Sequence, residues 1–231
     1  MVAKTQFAIT GEDTRYFLNG ALFILTAESM SLIATDGHRL ALAKAAREGG
    51  NKEESRSILP KKTLLELSRL LSDGEESVQY VCSENHLFFQ IDGRQLSSRM
   101  IDAQFPAYER VIPKGNDKRI EFDRDRLTSA IKRVALLSSE RSRAVKIQVS
   151  KDTVEVTSSS PEVGEAKEVL AVDYSGEDLE ICFNAQYMLD FLAVVDTETV
   201  TLGLKDEMSQ AIMHPAGADA EYTYVIMPMR V

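Results

Sequence analysis

The chain has 231 residues, of which 44% are apolar and 27% charged, with a formal charge of −9. That length holds two domains of ordinary size or one large one, and the apolar share is enough for a real core, which excludes wholesale disorder. The acidic balance excludes a surface coated everywhere for nucleic acid, yet leaves room for a local basic face, because distribution rather than the sum decides. There is no Trp, so the core is expected to rest on Leu, Ile, Val, Ala and Met. No apolar run approaches the ~18 residues of a membrane span. Met1 to Phe7 lacks the apolar stretch of a signal peptide. A soluble, cytoplasmic protein is the expectation. Cys82 and Cys182 stand far apart in apolar-flavoured segments, and both are read as buried free thiols in a reducing compartment.

In chain order, a helix-like opening runs into Thr10-Gly11-Glu12-Asp13-Thr14-Arg15. Strand-like runs follow over Tyr16 to Leu25 and Ser31 to Thr35, with a turn around Ala27-Glu28-Ser29. Pro60 to Leu71 has the apolar spacing of an amphipathic helix, and paired strands fill Val78 to Met100. The polar, turn-rich stretch Pro113-Lys114-Gly115-Asn116-Asp117 reads as a linker, which divides the chain into domains 1–115 and 116–231.

The same grammar then repeats. Ser138 to Arg143 leads into strands over Ala144 to Val149 and Thr153 to Thr157, with a turn at Lys151-Asp152. A helix over Asn184 to Val195 and strands within Val200 to Met227 close the second unit. The repeat length of about 125 residues suits a duplicated domain rather than a solenoid unit. The second unit has an opening that the first lacks: Ile120-Glu121-Phe122 alternates like a short strand, and Asp123 is placed to cap a helix from Arg124 to Leu137. The first unit therefore reads as starting inside its first helix, with a sheet short of one strand and an exposed edge.

The cluster Thr35-Asp36-Gly37-His38-Arg39-Leu40 raises the question of chemistry. His38 beside Asp36 suggests an acid–base pair, with Ser29 or Ser31 as nucleophile, and a two-domain hydrolase is the enzymatic reading. Against it, Asp36-Gly37 is a turn signal that breaks the regular strand such a pair would need. His86 and His214 are isolated in strand-like segments. No HExxH, GxSxG, metal-ligand spacing or glycine-rich phosphate loop occurs. The expectation is a protein without catalytic residues, metal or cofactor.

Basic residues favour helices. Lys4, Arg15, Lys61, Lys62 and Arg69 lie on or near the helices of the first unit. Arg124, Arg126, Lys132 and Arg133 lie on the first helix of the second unit, with Arg141 and Arg143 just beyond. Acid dominates elsewhere, at Glu53-Glu54, Asp73 to Glu76, Glu162 to Glu168 and Asp173 to Glu180. Scattered charge on a solvated helix face accounts for this pattern. So does a surface that meets phosphates without reading bases, through Lys4, Arg15, Lys61, Lys62, Arg69, Lys132, Arg133, Arg141 and Arg143. The chain ends on Tyr222 to Val231, apolar and methionine-containing, as adaptable binding surfaces are.

Four stretches carry a resemblance. Arg15-Tyr16-Phe17-Leu18-Asn19-Gly20, Ala34-Thr35-Asp36-Gly37-His38-Arg39-Leu40-Ala41, Phe105-Pro106-Ala107-Tyr108-Glu109-Arg110-Val111-Ile112-Pro113 and Met227-Pro228-Met229-Arg230 are similar, in order, to the beta subunit of bacterial DNA polymerase III, the sliding-clamp family. The likeness covers essentially the whole chain and implies the second and third of three repeated domains, with the first absent. Each domain is then α+β, with two helices packed on antiparallel sheets. The family role implied is a processivity factor: a head-to-tail homodimeric ring around duplex DNA that tethers the polymerase. Lacking the first domain, the fragment is expected to be monomeric.

The resemblance also implies a groove between the two domains for short peptide motifs of replicative and translesion polymerases, the clamp loader and mismatch-repair proteins. Its residues here are Leu18, Thr35, Gly37, His38, Arg39, Leu40, Pro106, Arg110 and Val111, with Met208, Gln210, Val225, Met227, Pro228, Met229 and Arg230. A duplicated interaction module unconnected with DNA is the remaining alternative.

Overall fold

The computed structural model describes residues 1–47, 53–71, 77–138, 143–161, 164–217 and 221–230. The chain divides into two units, Met1–Tyr108 and Glu109–Val231, so the join stands ahead of the Pro113–Asp117 stretch.

Unit 1 opens on a single helical turn, α1 (Val2–Thr5), extended by a 3-10 turn at Gln6–Ala8. The strand expected from Tyr16 starts later. Tyr16–Asn19 forms a second 3-10 turn, and β1 covers Gly20–Leu25. A network closes this turn: Thr10 Oγ1 donates to the Leu18 carbonyl at 2.9 Å, and the Asn19 side chain accepts from the Asp13 amide at 3.0 Å. Polar side chains that bond their own backbone compete with a sheet ladder, which is why β propensity at Tyr16 and Phe17 loses.

The strands β1, β2 (Ser29–Thr35), β3 (Arg39–Ala46) and β4 (Ser55–Pro60) pair antiparallel in the order β4-β1-β2-β3. α2 (Lys61–Leu71) buries Thr63, Leu64 and Leu67, a spacing that keeps one face inward. A second sheet pairs β5 (Gln79–Ser83), β6 (His86–Ile91) and β7 (Arg94–Arg99) in chain order. Phe23 of β1 meets Tyr80 of β5 edge-on at 5.4 Å, and Tyr80 meets Phe89 of β6 at 5.1 Å, so aromatic rings join the two sheets. Burial pushes the Tyr80 phenol up to about 12 even though the Ser57 hydroxyl bonds it at 2.8 Å.

Unit 2 is the fuller version of the same plan. β8 (Lys118–Asp123) leads directly into α3 (Arg124–Ala135), and the Asp123 carboxylate caps the helix by accepting from the Arg126 amide at 2.8 Å. The helix stops short of the expected Leu137; the chain beyond Ala135 tightens into turns, with the Leu136 amide bonding Arg133 O at 3.3 Å. β9 (Ala144–Ser150), β10 (Thr153–Ser160), β11 (Gly164–Ala171) and β12 (Leu179–Asn184) pair in the order β11-β10-β9-β12.

Asn184 caps α4 (Ala185–Leu192), accepting from the Gln186 and Tyr187 amides at 2.9 and 3.3 Å. α4 ends before the expected Val195. β13 (Thr199–Leu204), β14 (Ala211–Pro215) and β15 (Tyr222–Ile226) complete the order β8-β13-β14-β15. Phe191 of α4 stacks on Tyr222 and Tyr224 at 5.5 and 5.3 Å, and the Tyr224 hydroxyl donates to the Tyr187 carbonyl at 2.9 Å.

The two units are therefore one topology used twice. β12-β9-β10-β11 repeats β4-β1-β2-β3, and β13-β14-β15 repeats β5-β6-β7. β8 stands beside β13; among the described residues nothing stands correspondingly beside β5. This is the α+β architecture of helices on antiparallel sheets.

Both cysteines depart from their expected burial. Cys82 is exposed on β5, and Cys182 is half-buried on β12 with its thiol pushed up by burial. The exposure of Cys82 follows from its strand having a neighbour on one side only among the described residues.

Candidate functional site

The TDGHRL stretch is the connection between β2 and β3, and its polar side chains are committed to building it. Thr35 Oγ1 donates to the Arg39 carbonyl at 2.7 Å and accepts from the Gly37 amide at 3.1 Å. Asp36 Oδ1 accepts from the amides of His38 and Arg39 at 2.9 and 3.0 Å, while Oδ2 accepts from Arg39 Nε at 3.0 Å. This is an aspartate turn with a guanidinium locked onto it. Gly37 sits at φ +89°, where a side chain would strain the backbone, and a Cβ there would lie 3.3 Å from an Arg15 nitrogen.

Arg39 is 9% exposed. Its other end donates to the Phe7 carbonyl at 2.7 Å and lies over the Phe7 ring at 5.2 Å. The loop is thus tied to the N-terminal turns of its own unit. With both Asp36 oxygens engaged by backbone and Arg39, no hydrogen bond joins Asp36 to the exposed His38 ring among the described residues. The Ser29 hydroxyl is paired with Thr26 Oγ1 at 2.9 Å in its own turn. The arrangement is a rigid loop and lacks the orienting bond that an acid–base pair needs. Among the described residues, no three His, Cys, Asp or Glu side chains gather as a metal site requires.

Around this loop, Leu18 and Leu40 are 2% and 1% exposed and belong to the core, whereas Thr35 is half-buried and Pro106 exposed. Arg110 and Val111 fall just inside unit 2, both exposed. The remaining expected residues also lie in unit 2. Met208 is 54% exposed on the loop after β13. That loop is held from two sides. The Asp206 carboxylate accepts from the Met208 and Ser209 amides at 2.9 and 2.7 Å, and Asn116 Nδ2 donates to the carbonyls of Gly203 and Gln210 at 2.9 Å each. The Ser209 hydroxyl and these amides hold the Asp206 carboxyl below its usual range.

Val225 is buried in β15, Met227 is 37% exposed just after it, Pro228 and Met229 are half-buried and Arg230 is exposed. The tail is fixed by its backbone: the Met229 amide donates to the Cys182 carbonyl at 2.8 Å. Sequence reading missed the residues that build the loops, Asp13, Asn19, Asn116 and Asp206. The Asx-turn signal of Asp206, two and three residues before the amides that it accepts, was the legible one.

The basic residues expected to face phosphates divide by engagement. Arg15 is held by Asp13, whose Oδ2 accepts from Nη2 at 2.8 Å; the Arg15 hydrogen bonds pull the Asp13 carboxyl down to about 2. Lys61 Nζ donates to the Ile9 carbonyl at 3.0 Å. Arg69 pairs with Glu66 at 2.9 Å, and Arg133 is bidentate on Glu168 at 2.6 and 3.0 Å. Lys4 is half-buried on α1. Lys62 and Lys132 are exposed without an ion pair among the described residues, and Arg143 is exposed before β9. Arg141 lies outside the described residues. No helix is long and apolar enough to cross a membrane among the described residues.

Comparison with known proteins adds identity to this geometry. Residues 1–107 match the DNA polymerase III beta subunit, central domain, and residues 109–230 match its C-terminal domain. The beta sliding clamp of Pseudomonas putida is 40% identical over 231 residues, all of this chain and 63% of that protein. The crystal structure of the DNA polymerase sliding clamp from Pseudomonas aeruginosa superposes with a TM-score of 0.96 at 38% identity, over 100% of this chain and 63% of that one. A sliding clamp of the same species bound to griselimycin also gives a TM-score of 0.96 at 38% identity, over 100% of this chain and 62% of its own. The chain thus spans less than two thirds of the relatives that it matches. Two family domains in order, each carrying the fold of its relatives, place this chain in the DNA polymerase III beta subunit family, the beta sliding clamps.

Proposed function

We propose that the chain acts as the central and C-terminal part of a sliding clamp: a non-catalytic processivity factor, working in the cytoplasm, that binds short peptide motifs of polymerases, clamp loader and repair proteins and meets duplex DNA without reading its sequence. The observation that carries this reading is the build of the TDGHRL loop. Its carboxylate and guanidinium are spent on holding a shape, which suits recognition and not turnover. The fixed loop at Met208 and the tethered tail at Met229 support it from the second unit, since methionines give adaptable apolar contacts. A related clamp bound to griselimycin is consistent with ligand capture by this family.

The proposed peptide set is Leu18, Thr35, Gly37, His38, Arg39, Leu40, Pro106, Arg110, Val111, Met208, Gln210, Val225, Met227, Pro228, Met229 and Arg230. Leu18 and Leu40 in the first unit and Val225 in the second are buried, so each supports its own unit's surface rather than standing as an exposed contact. A fluorescent peptide of the type Gln-Leu-x-Leu-Phe is expected to bind, and Met227→Ala with Met229→Ala to weaken it by about 1–3 kcal/mol, roughly 5- to 150-fold. Unchanged affinity in that double variant overturns the peptide reading.

For DNA, the proposed contacts are Lys4, Arg15, Lys61, Lys62, Arg69, Lys132, Arg133, Arg141 and Arg143. Binding through phosphates falls steeply with salt. The free cations Lys62 and Lys132 are expected to contribute more per residue than Arg69 or Arg133, whose neighbouring carboxylates must first be released. The chain alone is proposed to be monomeric, which sedimentation velocity measures directly.

A further inference from the structure

Asn19-Gly20, Asp36-Gly37 and Asp92-Gly93 each join a short carbonyl side chain to a glycine amide among the described residues. With no side chain on the glycine to shield it, that amide nitrogen can close a five-membered ring onto the side-chain carbon. Whether it does so depends on how firmly the fold holds the two partners.

At the first two steps they are held. Asn19 Oδ1 accepts from Thr10 Oγ1 at 2.7 Å and from the Asp13 amide at 3.0 Å, while Nδ2 donates to the Asp13 carbonyl at 3.1 Å. Gly20 is packed so closely that a Cβ there would lie 2.4 Å from the Leu59 carbonyl oxygen. Asp36 has both oxygens bonded by the His38 and Arg39 amides and the Arg39 guanidinium. The nitrogen that would attack it, that of Gly37, is itself donated to Thr35 Oγ1 at 3.1 Å.

Asp92-Gly93 is built otherwise. It is the two-residue loop between β6 and β7, closed by the pairing of Ile91 with Arg94. Both residues have positive φ, +45° and +74°, as in the mirror-image turns for which Asp-Gly is favoured. Both are exposed, and a Cβ on Gly93 would meet no atom within 4 Å. Neither the Asp92 carboxylate nor the Gly93 amide makes a hydrogen bond among the described residues.

We propose that Asp92-Gly93 is a site of spontaneous backbone modification, where aspartate converts through a succinimide to isoaspartate. The Gly93 nitrogen gives up its proton and bonds Asp92 Cγ, and a carboxyl oxygen leaves as water. Water then adds to either ring carbonyl and opens it, so the exchange is redox-neutral and the product keeps its mass and charge. Opening at the α-carbonyl routes the main chain through the side chain and adds one methylene to the loop. Loop length fixes hairpin register, and the strand that the loop terminates buries Phe89 and Ile91 at 3% and 0% exposure. Neither Asp92 nor Gly93 belongs to the proposed peptide or DNA contacts, so this inference stands apart from that reading.

The test incubates the whole chain in heavy-oxygen water near neutral pH, once folded and once unfolded in guanidinium chloride. Each ring opening writes one heavy oxygen into the residue. Fragmentation of the proteolytic peptides locates the label and separates Asp92 from Asp73, which lies outside the described residues. In the unfolded chain Asp36 and Asp92 are expected to label at similar rates. Folding is expected to slow Asp36 by at least about tenfold and Asp92 by no more than about threefold. Asp92→Glu, whose longer side chain would have to close a larger ring, is expected to lose the label at that position. Protection of Asp92 as strong as that of Asp36, or label that persists at position 92 in Asp92→Glu, overturns the proposal.

Discussion

Asp36 and Arg39 illustrate how a cluster that resembles chemistry at residue scale turns out to be construction. The guanidinium is 9% exposed and bonds the loop at one end and Phe7 at the other. Removing one partner leaves a buried charge unpaired, which costs more than the pair contributes. Arg39→Ala is therefore expected to destabilise the protein by about 3 kcal/mol in urea denaturation and to weaken the proposed peptide binding, with Arg39→Lys intermediate because an ammonium cannot reproduce the separate bonds of Nε to Asp36 and Nη2 to Phe7. Leu40→Ala is expected to cost about 2–5 kcal/mol as a core truncation, measured the same way. Asp13 behaves differently because it is only half-buried and its partner Arg15 is exposed. Its folded carboxyl is depressed to about 2, so the contribution of the Arg15 link is complete above the unfolded value near 4 and is lost as pH falls through about 2. The carboxyl resonance of Asp13, followed by NMR, should titrate with a midpoint near 2, well below a free aspartate. A midpoint near 4 would show that the link does not persist in solution.

Helices and strands vary in how openly the sequence announces them. α3 was readable almost whole, because Asp123 closes an alternating strand and opens an amphipathic run with no competing turn chemistry. Replacing Asp123 by Ala is expected to lower stability by about 1 kcal/mol, checked by chemical denaturation, with Asp123→Asn close to neutral. Tyr16–Asn19 was misread because β propensity there is strong, while the competing bonds come from the Thr10 hydroxyl and from the Asn19 side chain accepting from the Asp13 amide, which a local window does not weigh against it. β11 was obscured because Glu165 and Lys167 lie on its exposed side while Glu168, on the side of buried Leu170, interrupts the apolar period. The expected site stretches were legible as motifs, since each holds rare residue types in order. Their supports were not: Asn116 reaches Gly203 and Gln210 across a large sequence separation that no pattern encodes.

For the molecule as a whole, charge placement matters more than its sum. With a formal charge of −9, the proposed association with DNA would have to come from local fields, and Arg69 and Arg133 already sit beside carboxylates. Replacing Glu168 by Gln releases Arg133 and removes one negative charge. The expected outcome is tighter, still salt-sensitive duplex binding by fluorescence anisotropy, and weaker binding would contradict a role for Arg133 at phosphates. The repeat itself was visible in the order of turns and helices, although few residues are shared between the halves, because both halves bury the same pattern of faces and only the pattern has to be kept.

The tail is anchored by a main-chain amide, that of Met229, rather than by its thioether. Any residue with an N–H can therefore take that place and leave the last residues lying along β12, so chemical variety there costs nothing in position. Proline alone lacks the donor. A Met229→Pro chain should lose the strap while keeping an apolar side chain, and faster proteolytic trimming of its final residues would report the release.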